Sequence, residues 1–343
     1  MPLQPHLKQL IEDRATLARE EASALMQAIL AGELSDIEIA ALLGALAARG
    51  ETPAEIAGFV DTMRTAVTHL PLDPSEQSLL VDTCGTGGDG SRTFNISTAA
   101  ALVAAAAGAS VAKHGNRAIT SQTGSADVLE ALGIPVGLSP DEAAISIRAH
   151  RFAFLHAPSL HPAMKAVMPV RRAIGVRTVF NLLGPLTNPA GASAQVMGVY
   201  ASHAVPLVAE AMAILGTRHA FVVHGLSETG RGLDEISISG STHLAEVRNG
   251  IVTISTITPE DAGLERAPME TLLGGDAATN AAILTAIFAG ERGPRRDIVL
   301  LNAAAVLTAA DLAPDLITGV ALAARTIDTG AVTELVTTLA RKH

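Results

Sequence analysis

Ser78 to Lys113 reads SLLVDTCGTGGDGSRTFNISTAAALVAAAAGASVAK, and the alternation inside this stretch decides the fold class. Ser78–Thr83 has the short apolar run of a buried strand. A glycine-rich loop comes next, Cys84 to Arg92. Asn95–Ala107 then carries a helical run of small apolar residues that stops at Gly108, and Ser110–Lys113 is a second strand. Strand, loop, helix and strand make a βαβ unit, whose two strands lie parallel because the helix carries the chain back across the sheet.

Upstream the grammar is purely helical. Ser35-Asp36-Ile37-Glu38 is a capping box, followed by apolar residues at Ile39, Leu42, Leu43 and Leu46 and a glycine stop at Gly50. Thr52-Pro53-Ala54-Glu55 is a second box with proline at the first helical position, leading a helix with Ile56, Phe59, Val60 and Met63. Pro71 to Ser75 reads as a linker. Downstream the alternation continues. Gly124–Leu132 is helical, and Ser139-Pro140-Asp141-Glu142 is a third box. Strands are expected at Phe152–Leu155, Val196–Tyr200 and Ala220–Val223, and helices at Ala204–Leu215, Ala277–Ala289 and Asp297–Thr308. Asn249-Gly250 marks a hairpin turn. Residues 162–190 look helical, but Pro169, Pro185 and Pro189 interrupt them. The reading is an α/β protein: a small all-helical domain plus a larger α/β domain with a mostly parallel central sheet. The helical domain takes residues 1–72, joined by about 165–192. The α/β domain takes 73–164 and 193–343.

Of the 343 residues 48% are hydrophobic, much of that alanine, and only 2% are aromatic. The core is therefore expected to rest on close helix packing over small side chains. A net charge of −10 speaks against a nucleic-acid binder, which shows a basic face. It leaves room for an anionic substrate, since a local basic pocket and a metal ion reverse the field. The single cysteine, Cys84, forms no intrachain disulfide and fits a reducing cytosol. No signal-peptide core and no run long enough to span a bilayer is visible, so a cytoplasmic protein is expected.

The glycine loop suits an anion. Glycines let the backbone approach it closely, and the helix after the loop offers free N–H groups and a positive dipole end. Gly85, Gly87 and Gly90 also satisfy G-x-G-x-x-G. A dinucleotide site, however, wants an acidic residue ending the second strand, and here that strand ends in Lys113-His114. A Walker loop is excluded, because no Gly-Lys-Ser/Thr closes the loop.

The residues beyond the loop are more specific. Asn95-Ile96-Ser97-Thr98, Lys113-His114-Gly115-Asn116-Arg117, Ser121 and Gly124 to Gly133 succeed one another. After them come His161-Pro162-Ala163-Met164-Lys165, Arg171-Arg172 and Arg177 to Pro189. Gly232-Leu233-Asp234-Glu235-Ile236-Ser237 and Arg295 to Ala305 complete the series. This succession, in order along nearly the whole chain, resembles the anthranilate phosphoribosyltransferases.

The resemblance implies transfer of a phosphoribosyl group from phosphoribosyl pyrophosphate to anthranilate in tryptophan biosynthesis, with Mg2+ and a homodimer formed through the helical domain. It puts phosphoribosyl pyrophosphate against Gly85, Gly87, Gly88, Asp89, Asn95, Ser97, Thr98, Lys113, Ser121 and Ser125. It puts anthranilate against Gly85, His114, Asn116 and Arg171, and the metal at Ser97, Asp234 and Glu235. No residue is implied to act as a covalent or acid–base catalyst, and no nucleic acid or membrane is implied as partner. Bland alternatives stand beside these roles: helix capping for Asn95, Ser97 and Thr98, a solvated lysine for Lys113, a structural histidine for His114, an ordinary acidic pair for Asp234-Glu235. Arg172 and Arg177 read as solvated or paired with acidic neighbours.

There are departures from the family pattern. Gly225 to Arg231 is longer than the usual loop, which leaves the geometry around Asp234 open. His156 stands where an apolar residue is expected and is a candidate to alter the acceptor pocket. Thr120 and Thr123 stand where the family more often has serine. Pyrimidine nucleoside phosphorylases share the architecture, but their Lys-His-Ser-Thr-Gly-Gly motif is absent. A non-catalytic nucleic-acid-binding relative is opposed by the net charge and by the acidic pair.

Overall fold

The computed structural model describes residues 3–118 and 122–341. The first four helices are α1 (Gln4–Ile11), α2 (Arg19–Leu30), α3 (Asp36–Arg49) and α4 (Pro53–Ala66). Both expected capping boxes form: Ser35 accepts from the Glu38 N–H and Thr52 from the Glu55 N–H, while each glutamate reaches back to its cap. Gly50 ends α3 at φ +91°. The expected linker is shorter than Pro71–Ser75, because Asp73 caps a one-turn helix, α5 (Pro74–Gln77). An Asp–Pro–x–Glu run is itself a capping signal.

The α/β part runs β1 (Leu80–Gly85), α6 (Ile96–Ala106), β2 (Ser110–Gly115), α7 (Ser125–Ala131), α8 (Pro140–His150) and β3 (Phe152–His156). The crossing segment holds α9 (Ala157–Leu160), a 3-10 turn (Pro162–Ala166), α10 (Met168–Ile174) and α11 (Phe180–Leu186). The rest is β4 (Ala194–Gly198), α12 (Ala204–Ile214), β5 (His219–Leu226), β6 (Gly232–Leu233), β7 (Thr242–Arg248) and β8 (Ile251–Ile257). Four helices close the chain: α13 (Ala277–Phe288), α14 (Pro294–Ala309), α15 (Leu316–Asp328) and α16 (Ala331–Ala340). The prolines of 162–190 do not abolish helix there. Pro162 and Pro169 occupy first-turn positions, where no N–H bond is needed, and Pro185 falls in the last turn of α11.

The sheet order is β3-β2-β1-β4-β5-β7-β8, with β6 paired to β5. The first five strands in this order are parallel, and β6, β7 and β8 add antiparallel pairing at one side. The Asn249-Gly250 turn joins β7 and β8 with both residues at positive φ.

Side-chain alternation divides the sheet between two cores. Phe152, Phe154, Val196, Phe221 and Val223 face α6, α14 and the C-terminal helices. Met197, Val199, Ala220, Val222 and Val247 face α12 and the helical bundle. The alanines of α6, Ala99–Ala105, are all buried and let α14 lie close against it. Val170, Val179, Phe180 and Leu183 share the core of α2, α3 and α4, and α10 packs on α3 while α11 packs on α4.

Candidate active site

In a parallel sheet the carboxyl edge collects ligands, because the strands end there and the helices begin. The glycine loop leaves β1 at that edge with Gly87, Gly88 and Gly90 at φ of +67°, +78° and +70°. Beside it, Lys113 and His114 lie in the last residues of β2, just before Gly115, and the segment after β6 brings in Asp234 and Glu235.

These residues form one bonded chain. Lys113 is 1% exposed, so it is not a solvated lysine. Its Nζ donates to the Thr83 carbonyl at 2.6 Å and reaches Ser97 Oγ at 3.3 Å. The Ser97 N–H, in the first turn of α6, donates to Glu235 Oε1 at 3.1 Å. The Gly87 N–H donates to Asp234 Oδ2 at 2.8 Å, and the Asp234 N–H to Asp89 Oδ2 at 3.3 Å. The acidic pair is therefore built into the loop and the helix start.

Its charge balance is poor in the protein alone. Burial first, then Asp89, pushes the Asp234 carboxyl well above the usual range. Burial first, then Asp234, does the same to Glu235, and only the ammonium of Lys113 opposes this among the charged side chains. Burial also lowers the Lys113 pKa, with Asp82 the first group opposing that shift. The excess of carboxyl over ammonium groups leaves room for a divalent cation at Asp234 and Glu235. Among the described residues no three His, Cys, Asp or Glu side chains converge into a ready cage. Magnesium accepts that arrangement, since one or two carboxylates, water and substrate phosphate complete its shell.

Two glycines that sequence reasoning treated differently explain how Asp234 fits. Gly85 and Gly198 are register partners on β1 and β4. A Cβ on Gly198 would stand 1.7 Å from the Asp234 carbonyl oxygen, and one on Gly85 would stand 2.3 Å from Asp234 Oδ2. Gly198 carries no motif of its own, so the sequence offered no signal for it.

Asn95 does not cap α6 with its side chain. Instead Nδ2 donates to the Thr123 carbonyl at 3.3 Å, and Oδ1 accepts from Asn280 Nδ2 at 2.9 Å. Asn280 in turn accepts the Gly275 N–H, and the Thr123 hydroxyl donates to the Gly275 carbonyl. This network joins the helix start, the segment before α7 and the turn before α13. Asn280 lies in an ordinary helical pattern and was missed. Thr98 is buried, with a hydroxyl that finds no partner among the described residues. Ser125 Oγ donates to the Asn116 carbonyl at 3.3 Å. Ser121 lies outside the described residues.

His114 and His161 form a buried pair with Nε2 atoms 3.1 Å apart. Burial first, then His161, lowers the His114 pKa to about 3, and burial lowers that of His161 to about 4, so both rings are neutral near pH 7. The His114 N–H is held by Asp82 Oδ1. Asn116 Oδ1 accepts the Arg117 N–H. Arg171, on α10, stacks its guanidinium 5.4 Å from the Phe180 ring centroid and has no carboxylate partner among the described residues. No hydrogen bond ties it to the histidine pair. His156 follows Phe154 on the α7 side of β3, opposite the face of His114, and bonds Ser159 Oγ at 3.0 Å. The long 225–231 segment is a closed turn: Ser227 Oγ accepts the Thr229 and Arg231 N–H groups, and β6 pairs with β5.

The fold and this edge define a class, a glycosyl-transferring enzyme with a helical bundle attached. A model of the glycosyl transferase family's a/b domain matches residues 77–333, and one of its helical bundle domain matches residues 4–67. An anthranilate phosphoribosyltransferase of Solibacter usitatus is 52% identical over 341 residues, covering 99% of this chain and 98% of its own. One of Symbiobacterium thermophilum is 52% identical, covering 94% and 93%. The crystal structure of the Thermus thermophilus enzyme superposes with a TM-score of 0.89 at 45% identity, covering 97% of this chain and 98% of its own. The Saccharomyces cerevisiae enzyme, in complex with phosphoribosyl pyrophosphate and magnesium, superposes at 0.84 with 25% identity, covering 98% and 96%. The chain belongs to the anthranilate phosphoribosyltransferase family. Among its described residues no helix is long and apolar enough to cross a membrane.

Proposed function

We infer that the chain transfers the phosphoribosyl group of phosphoribosyl pyrophosphate to the amine of anthranilate, releasing pyrophosphate, as its family does in tryptophan biosynthesis. The observation that carries this reading is the continuous chain from Lys113 through Ser97 to Glu235, with Asp234 tied to Gly87, at the mouth of an anion-suited loop.

In the reaction the C1–oxygen bond to pyrophosphate breaks while the amine nitrogen attacks C1 from the other side. Positive charge grows on the sugar and negative charge on the leaving group. The aryl amine is uncharged near neutral pH, so alignment and charge placement matter more than a strong base.

Gly85, Gly87, Gly88, Asp89, Asn95, Ser97, Thr98, Lys113, Ser121 and Ser125 hold the donor in this reading. Lys113 sets a fixed positive charge beside it, and the start of α6 adds N–H groups. Asp234 and Glu235, with the Ser97 hydroxyl, hold magnesium. Magnesium, when bound, supplies positive charge against the departing pyrophosphate. Arg171, free of any carboxylate within the described residues, takes the anthranilate carboxylate. His114, Asn116 and Gly85 line the acceptor side, with His114 kept neutral by burial. In this reading residues 1–72 and about 165–192 make the helical part and the remainder the α/β part, supported by the packing of α10 on α3 and α11 on α4. The chain is further read as a homodimer through the bundle, supported by the exposed Ile11 and Ile37 on α1 and α3. Light scattering tests that state. Mixing protein, magnesium, phosphoribosyl pyrophosphate and anthranilate, and following anthranilate fluorescence, tests the activity: fluorescence is lost only when all four are present.

A further inference from the structure

The tip of the glycine loop is held by Asp234 on one side, through the Gly87 N–H, and by Arg177 on the other. Arg177 Nη2 donates to the Gly88 carbonyl at 3.0 Å. Its guanidinium lies over the Tyr200 ring, 4.6 Å from the centroid. The side chain is exposed, as the solvated expectation has it, but it is not acid-paired: among the described residues it has no carboxylate partner, and the loop carbonyl and the ring are what it meets. Arg177 comes from the crossing segment between α10 and α11, while Tyr200 stands two residues beyond the end of β4. The ring is thus fixed to the sheet edge, and the arginine spans from the bundle side to the loop.

The contact matters because of where it falls. Gly87 and Gly88 both sit at positive φ, with little steric restraint on how their peptides turn. In a trans peptide the C=O and the next N–H point opposite ways. Fixing the Gly88 oxygen toward Arg177 turns the Asp89 N–H away from it. A planar guanidinium suits this task, because it donates in its plane while its face rests on an aromatic ring.

We propose that Arg177, seated on Tyr200, is a positioning residue for the donor substrate: it fixes the Gly88–Asp89 peptide so that its N–H is presented to the pyrophosphate. This rests on the reading that the glycine loop binds phosphoribosyl pyrophosphate.

The chain contains one tyrosine and no tryptophan, so tyrosine emission reports on Tyr200 alone. Burial, then Glu51, raises the Tyr200 hydroxyl above its usual range, so the ring stays an un-ionised phenol in the assay. Phosphoribosyl pyrophosphate with magnesium, added without anthranilate, is expected to change this emission saturably, with the midpoint found by calorimetry. Arg177→Ala is expected to raise the KM for phosphoribosyl pyrophosphate about tenfold, the loss of one charge-assisted bond. The KM for anthranilate should stay within about twofold, the fold change expected when that bond is absent from its site. The emission response should be lost. Arg177→Lys, which keeps the charge but not the planar fork, should recover part of the difference. Tyr200→Leu should shift the same KM in the same direction, since it removes the platform. Equal thermal midpoints separate these effects from unfolding. Wild-type protein that does not consume anthranilate removes the donor-site reading itself. Active wild type with an Arg177→Ala variant of unchanged donor KM, with both KM values raised alike, or without any emission response in the wild type, overturns the positioning role alone.

Discussion

Asp234 and Glu235 are neighbours that repel one another, and Asp89 adds a third carboxyl. Raised pKa values let protons relieve this repulsion in the protein alone, and a cation would displace them. Replacing both with alanine is expected to lower turnover by at least ~100-fold, the scale of losing a metal's charge from the leaving group. The fold should survive, since relief of the repulsion offsets the lost bonds to the Gly87 and Ser97 N–H groups, and a thermal midpoint checks this. Near-normal rates at limiting magnesium would reject the assignment. Arg171 is the proposed acceptor-side counterpart. Arg171→Ala is expected to raise the KM for anthranilate by an amount worth roughly 1.5–3 kcal/mol and to leave that for phosphoribosyl pyrophosphate nearly untouched. Equal effects on both substrates would sink that role. At this scale the sequence exposes residues whose type and place carry the chemistry, such as Lys113 at a strand end. It hides those that act by long-range contact. Asn280 is 185 residues from its partner Asn95, and Gly198 is explained only by the backbone of Asp234.

The elements around the site are held by few bonds from many places. Asn280 connects α13 to the start of α6 and to the turn at Gly275. Asn280→Ala is expected to destabilise the protein by about 1–2 kcal/mol, since it strands a buried acceptor and donor. It should also raise the KM for phosphoribosyl pyrophosphate, with little change in that for anthranilate. Denaturant unfolding and steady-state kinetics read the two effects, and an unchanged donor KM would free Asn95 from this support. Gly198→Ala is a sharper test, because its methyl group would overlap the Asp234 backbone. A loss of roughly 3 kcal/mol or more is expected from such a clash. Local signals foretell most elements: capping boxes set α3, α4 and α8, and the Asn-Gly turn sets the β7–β8 hairpin. Prolines mislead in the crossing segment, because first-turn positions tolerate them. Strand ends drift by up to three residues, as β5 shows by running on to Leu226. Its extension depends on the pairing with β6 and β7, which no local pattern reveals.

In the proposed reading the acceptor lies between the two parts, with Gly85, His114 and Asn116 on the sheet side and Arg171 on the bundle side. The glycine loop and Lys113, proposed to hold the donor, lie on the carboxyl edge of the sheet, and Arg171 lies on α10, which packs on α3. Water competes for an electron-poor sugar, so closing the parts around the donor favours transfer over hydrolysis. Phosphoribosyl pyrophosphate with magnesium is expected to make the protein more compact in small-angle scattering and to slow hydrogen exchange over residues 85–95. If neither changes at saturating donor, the site is preformed and the two parts do not move. The parallel sheet and the attached bundle were legible from the alternation around the glycine loop. The sharing of the bundle core with the crossing segment was only foreshadowed, since it rests on contacts such as α10 on α3 and α11 on α4. That sharing has a consequence for how the protein is made. Helix α11 ends 120 residues after α4 does. At ribosomal speeds of about 5–20 residues per second, the first four helices wait roughly 6–24 s for Val170, Phe180 and Leu183 to close their core. During synthesis the nascent bundle is thus left with an open apolar surface until the crossing segment follows.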